Sequence, residues 1–180
     1  MSAVARLLVL AAVIGGFYYV IDQNEQSRKA ALEKARAREI AANAGCHAAS
    51  QQPANGMMLS TAQRNGKHVL NINNDPGADA IIKLKDRDQN TVLSMYVRAG
   101  QSATTYVPEG TWQFQYATGL EYSPDCGRFL KNMHASKDPQ YTAYETTMQG
   151  NYIYTSEMTY TLQRVANGNF SPVGMSNQAF

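Results

Sequence analysis

The chain has 180 residues, 44% of them hydrophobic and 17% charged, enough apolar material for one folded domain with appendages and too much for a disordered protein. A formal net charge of +2, with no Lys/Arg stripe interleaved with aromatics in the second half, gives no footprint for nucleic acid. Two cysteines, Cys46 and Cys126, allow one disulfide in an oxidising compartment or two thiols in a reducing one.

Residues 7–21 are an unbroken apolar run. With Ala3, Val4 and Ala5, and Arg6 snorkelling outward, the run reaches about 19 residues, and at ~1.5 Å per residue it nearly crosses a ~30 Å hydrocarbon core. Tyr18 and Tyr19 stand where an interfacial aromatic belt would lie. The residues that follow lack the small-residue pattern of a cleavage site, so 1–21 reads as an uncleaved transmembrane anchor. Gly15 and Gly16 give that helix a flat patch suited to contact with another membrane helix, although membrane helices also tolerate glycine without such contact. Ala44-Gly45-Cys46 resembles a lipoprotein acceptor, but the intervening charged segment argues against lipidation.

Residues 22–45 are rich in Ala, Glu, Lys and Arg and read as a solvated helical stalk, with Glu25 and Lys29 spaced as an ion pair. A helix lying against a partner is the sharper alternative. Asn43 and Gly45 supply its stop. Residues 46–66 have the composition of a linker.

From residue 67 to 180 the period changes to two. Strands are predicted over 68–73, 78–85, 91–98, 102–107, 111–118, 141–148 and 152–165, separated by turns such as Asp75-Pro76-Gly77 and Gln149-Gly150-Asn151. The strand over 111–118 organises the rest. Pro108 and Gly110 make the turn into it, and Trp112, Phe114 and Tyr116 alternate with polar residues to form an aromatic wall. About seven short strands at this spacing predict a mainly β fold, an antiparallel β-sandwich behind the membrane helix and stalk. Of Tyr141, Tyr144, Tyr152, Tyr154 and Tyr160, most are expected in the sandwich wall, and any left exposed would serve an interface. Residues 119–139 break the rhythm. A loop of about 20 residues is long for a compact domain, so Tyr122, Phe129 and His134 become candidate interaction residues.

The run Tyr96-Val97-Arg98-Ala99-Gly100-Gln101-Ser102-Ala103-Thr104, continuing through Val107-Pro108-Glu109-Gly110-Thr111-Trp112 to Ala117-Thr118-Gly119, resembles a family of uncharacterised bacterial β-domains with a VRAGxxAT…(I/V)PxGTYxxxxATG signature. Trp112 stands where that pattern has Tyr. More loosely, the turn is similar to PEGA and carboxypeptidase-regulatory-like sandwiches. The resemblance covers roughly residues 68–180 and implies a non-enzymatic, extracytoplasmic domain behind a membrane helix.

Cys46, His47, Cys126 and His134 are the right types for zinc but lack a chelating spacing, so a Cys46–Cys126 disulfide is the preferred pairing and no metal site is expected. The same thiol–imidazole pairs would suit a nucleophile by composition alone. Carboxylates such as Asp79, Glu109 and Asp125 sit mainly at turns, and Asp86, Asp88 and Asn90 lack the Gly and distal Glu of a calcium loop. No catalytic residue, cofactor or small-molecule substrate is evident. Arg28, Lys29, Lys34, Arg36 and Arg38 beyond the anchor would place the β-domain in the cytoplasm by charge counting. Interleaved acids, the cysteines and the resemblance favour the periplasm instead. The expectation is a single-pass inner-membrane accessory subunit docking on a larger membrane complex, for example an energy-transducing one. A cell-wall or carbohydrate-binding module is the alternative, and an enzyme of unknown type the third.

Overall fold

The computed structural model describes the backbone of residues 3–60, 66–162 and 170–180, with side chains from residue 23 onward. Its contacts divide the chain into two units, Met1–Ala44 and Gly45–Phe180.

The first unit is one helix, α1 (Ala3–Ala42), that runs through the predicted anchor and stalk without interruption. Residues 23–41 are exposed all round, as expected for a face-less mixture of Ala, Glu, Lys and Arg. Glu25 and Lys29 pair at 2.9 Å. The Asn43 amide still donates to Glu39 O, and Gly45, at φ +81°, takes the left-handed conformation that ends helices. The side chains of the 7–21 run, with Gly15 and Gly16, lie outside the described residues. Among the described residues no helix is long and apolar enough to cross a membrane.

The second unit is mainly β. Its strands are β1 (Met58–Ser60), β2 (His68–Asn73), β3 (Asp79–Lys85), β4 (Thr91–Val97), β5 (Ser102–Val107), β6 (Gly110–Ser123), β7 (Arg128–Tyr144), β8 (Thr147–Gln149), β9 (Tyr152–Tyr154), β10 (Glu157–Thr161) and β11 (Val173–Met175). They form a six-stranded sheet in the order β1-β4-β3-β6-β7-β11, a three-stranded sheet β10-β2-β5, and the hairpin β8-β9. Pairing is antiparallel except that β10 runs parallel to β2. An all-antiparallel expectation is corrected there. A parallel neighbour needs a long crossover, and here β3 to β9 intervene between the two strands.

Period-2 alternation builds the main core. Leu70, Ile72, Ala103, Val107 and Tyr160 come from the small sheet. They meet Ile82, Leu84, Leu93, Met95, Val97, Phe114 and Tyr116 from the large one in a single buried cluster. The other face of the large sheet carries a second cluster, with Ile81, Tyr96, Ala117, Tyr122 and Phe129 roofed by Ala49, Leu59, Met175 and Phe180. Burial on both faces explains why β4 is buried along nearly its whole length.

Three expectations are corrected. Residues 119–139 are not a loop: β6 and β7 continue through them as a long hairpin turning at Gly127 (φ +59°). Gly119 looks like a strand break, yet it is a packing site, since a Cβ there would lie 2.6 Å from Phe129 Cβ. Bulges at Thr118/Leu120 absorb the irregularity, with Glu121 and Asn132 at positive φ. The second correction concerns the 46–66 linker, whose described part folds onto the domain. Ala49 N donates to Tyr122 O, and Met57 and Gly56 bond to Tyr96. Third, the predicted strand 141–148 splits, its first half ending β7 and its second forming β8, while 163–165 lie outside the described residues.

Candidate functional site

The aromatic wall folds as the sequence predicts. Phe114 and Tyr116 are buried in the main core, and Trp112 packs against it while its indole N–H donates to Pro108 O at 3.0 Å. Gly110 (φ +148°) is obligatory because a Cβ there would run into the Trp112 ring. These residues are architecture.

Cys46 and Cys126 form a disulfide, with Cα atoms 5.7 Å apart and 80 positions between them in sequence. Beside it, His47 Nδ1 lies 3.3 Å from Asp125 Oδ2, so the neighbours of both cysteines meet across the same junction. His134 sits elsewhere, opposite Thr118 on β7, and is exposed. The four zinc-type side chains therefore do not converge. Among the described residues no group of three or more His, Cys, Asp or Glu is arranged for a metal ion. Tyr122 and Phe129, proposed as interaction residues, are buried against Tyr96, with the Tyr96–Tyr122 ring centroids 5.4 Å apart. Of that trio only His134 offers its side chain to solvent.

The VRAG stretch has a structural task. Arg98 Nε donates to Pro53 O, Arg98 Nη2 donates to Gln52 O, and the Arg98 amide donates to Asn55 Oδ1. Asp79 accepts from the Tyr96 hydroxyl, Gln52 Nε2 and the Ala99 amide. This polar knot fastens the 46–57 strap across the sheet. Burial first, and then the Asp79 carboxylate, push the Tyr96 phenol well above its usual range. Burial does the same to Tyr144. On β3, burial and then the charges of Lys85 and Arg128 lower the Lys83 amine from 10.5 to about 8.

A pH dependence follows from these shifts. Between about 8 and 10.5 the unfolded chain holds a proton on Lys83 that the folded one has released, so stability rises with pH there. Above about pH 10 the folded tyrosines keep protons that the unfolded chain loses, so stability falls. Urea unfolding at several alkaline pH values should show a maximum near pH 9–10, with a rising limb of about 1–2 kcal/mol after solvent screening of a half-buried amine. Lys83→Met should flatten that limb. An unchanged limb would remove Lys83 as its source.

The exposed apolar surface gathers elsewhere. In the hairpin β8–β9, Met148 is opposite Ile153, Gln149 opposite Tyr152 and Thr147 opposite Tyr154. Met148, Tyr152 and Ile153 are 74%, 72% and 66% exposed, and Tyr154 is half exposed. The hairpin pairs with neither sheet, and residues 146–156 carry no charge. Placing Tyr152 and Tyr154 in the wall is therefore corrected. Their alternation is real, but neither hairpin face packs on a core, whereas Tyr144 and Tyr160 are buried. The absence of charge from this segment was the signal that could have singled it out.

Comparison of the chain with protein-family models, curated proteins and solved structures finds no match in any of the three.

Proposed function

We propose that this chain is a non-catalytic, membrane-anchored binding protein: residues 1–21 form the anchor, and the two-sheet unit is a β-sandwich that faces the periplasm and docks on a larger inner-membrane complex. The observation that carries this reading is the uncharged β8–β9 hairpin, which holds Met148, Tyr152 and Ile153 together out in solvent. Exposed aromatic and aliphatic anchors of this kind are what partner pockets bind. The Cys46–Cys126 disulfide supports an oxidising compartment over the cytoplasm indicated by charge counting. The resemblance to the bacterial β-domain family points the same way. A cell-wall-binding module would call for exposed aromatics in residues 119–139, and Tyr122 and Phe129 are buried.

The test is gentle detergent extraction from native membranes, followed by size-exclusion chromatography and mass spectrometry of what travels with the chain. Stoichiometric co-migration with a larger assembly is expected. The variant Met148→Ser/Ile153→Ser should weaken it by about 10–100-fold, at ~1–3 kcal/mol for a partner-buried anchor pair. Its thermal unfolding should be unchanged, because neither residue touches the core. Migration of the unaltered chain as a small detergent-bound particle would sink the docking reading.

A further inference from the structure

His68 opens β2, and its side chain is fully buried. An imidazole is the side chain that ordinarily changes charge between pH 5 and 8, so its burial at a defined hydrogen bond has consequences. Nδ1 accepts the Ser156 amide at 3.0 Å, which puts the proton of the neutral ring on Nε2. Nε2 has no hydrogen-bond partner among the described residues, and neither has the hydroxyl of Tyr144, whose ring meets His68 edge-on at 6.0 Å.

Ser156 is the residue that closes the base of the β8–β9 hairpin. Its hydroxyl accepts from the Glu145 amide at 3.3 Å and donates to Glu145 O at 3.4 Å, so the two ends of the hairpin meet there. Its own peptide is held on β2, by His68 Nδ1 on one side and by the Val69 amide donating to Ser156 O at 2.9 Å on the other. The hairpin pairs with neither sheet, and a lone two-stranded hairpin is marginal in water. Its order therefore depends on this base.

Protonation of His68 turns Nδ1 from an acceptor into a donor facing the Ser156 N–H. Turning the ring over gives no relief, because both nitrogens of an imidazolium carry hydrogens. The titratable groups on the elements packed about the ring are Lys67 beside it, Tyr106 and Glu109 from β5 and the turn after it, Tyr144 and Glu145 from the end of β7, and Glu157 and Tyr160 from β10. None of them bonds to the ring. Burial keeps the Tyr144 and Tyr160 phenols neutral. Glu145 and Glu157 are exposed, and Glu157 accepts from Asn71 Nδ2 at 2.8 Å. A buried imidazolium here has no counter-charge in contact and finds water only by opening the base.

We propose that His68 is an acid-released latch on the hairpin: the neutral ring holds Ser156 and keeps β8–β9 in its binding shape, and protonation lets the base go. The latch rests on the docking reading of that hairpin and gives the site its regulation, with docking favoured at neutral pH and weakened in mild acid.

Hydrogen exchange of the full chain in detergent, read as protection factors at about pH 7.5 and about pH 5.5, tests the latch without any partner. Carboxylates ordinarily titrate near about 4, below this window. Residues 146–156 should lose about tenfold in protection, the population gained by an open state whose imidazole titrates at the ordinary value of about 6.5, while β3 and β4 keep theirs. His68→Asn, which offers a neutral acceptor close to the place of Nδ1, should remove the pH dependence. His47→Gln/His134→Gln takes away the other two imidazoles, both at exposed positions, and should retain it; this variant decides where His68→Asn fails to fold. Unchanged protection at the lower pH, an equal loss in β3 and β4, a pH dependence that survives His68→Asn, or its disappearance from His47→Gln/His134→Gln would overturn the latch. Acid loss of hairpin protection in a chain that co-migrates with nothing would keep the latch and remove the docking reading, whereas co-migration with unchanged protection would do the reverse.

Discussion

Replacing both Cys46 and Cys126 by serine should lower the unfolding free energy by about 4 kcal/mol, the loop-closure entropy of a ring of this size. The bond spans 80 positions and joins the start of the β unit to the tip of the β6–β7 hairpin, so the unfolded chain gains most of its new freedom from that large ring. In the folded state the loss is local. The strap remains fastened by the Arg98 bonds to Gln52 and Pro53, by Asn55, and by Ala49 N to Tyr122 O. The His47–Asp125 pair beside the bond is exposed and adds little. Guanidinium unfolding of the serine variant, followed by Trp112 fluorescence, measures the difference. Reduction of the unaltered protein should reproduce it, since Cys126 is exposed at the hairpin tip. A loss below about 1 kcal/mol would mean that the unfolded chain keeps the two ends together without the bond.

What could be read from the sequence is what local pattern determines. The ranges of β2 and β5 match their predicted spans because turn residues delimit them, Asp75-Pro76-Gly77 after one and Pro108 after the other. Phe114 and Tyr116 were readable as wall because alternation fixes the face once one face is buried. The β6–β7 hairpin was not readable, since Gly119 gives the same signal whether it ends a strand or makes room for Phe129. The strap was hidden for a different reason. Pro53, Asn55 and Gly56 have loop composition, and their bonds reach 40 or more positions along the chain to Arg98 and Tyr96. Tyr152 and Tyr154 show the limit most plainly. They alternate as well as Trp112 and Phe114 do, but alternation says that a strand has two faces and not that either face meets a core.

The second large effect tests how the two sheets hold together. Phe114→Ala should cost about 3–5 kcal/mol, the range for deleting a fully buried aromatic side chain. Phe114 lies on β6, near the middle of the six-stranded sheet, while the ring it stacks on at 3.8 Å and 3° belongs to Tyr160 of the three-stranded sheet. Phe170 closes the group edge-on at 5.6 Å from Phe114. Alanine therefore removes one side of a contact that spans the two sheets, and the neighbouring strands on either side of β6 cannot collapse into the space without breaking their ladders. Phe114→Leu, which keeps most of the volume, should cost less than half as much. A double-mutant cycle with Tyr160→Ala should return a coupling of about 0.5–1.5 kcal/mol beyond area burial. Tyr152→Ala on the exposed hairpin is the reference and should stay within about 0.5 kcal/mol of the unaltered chain. Equal losses at Phe114 and Tyr152, or zero coupling between Phe114 and Tyr160, would mean that the sheets do not meet through this stack. The division between an architectural aromatic set and a free one would then fail with it.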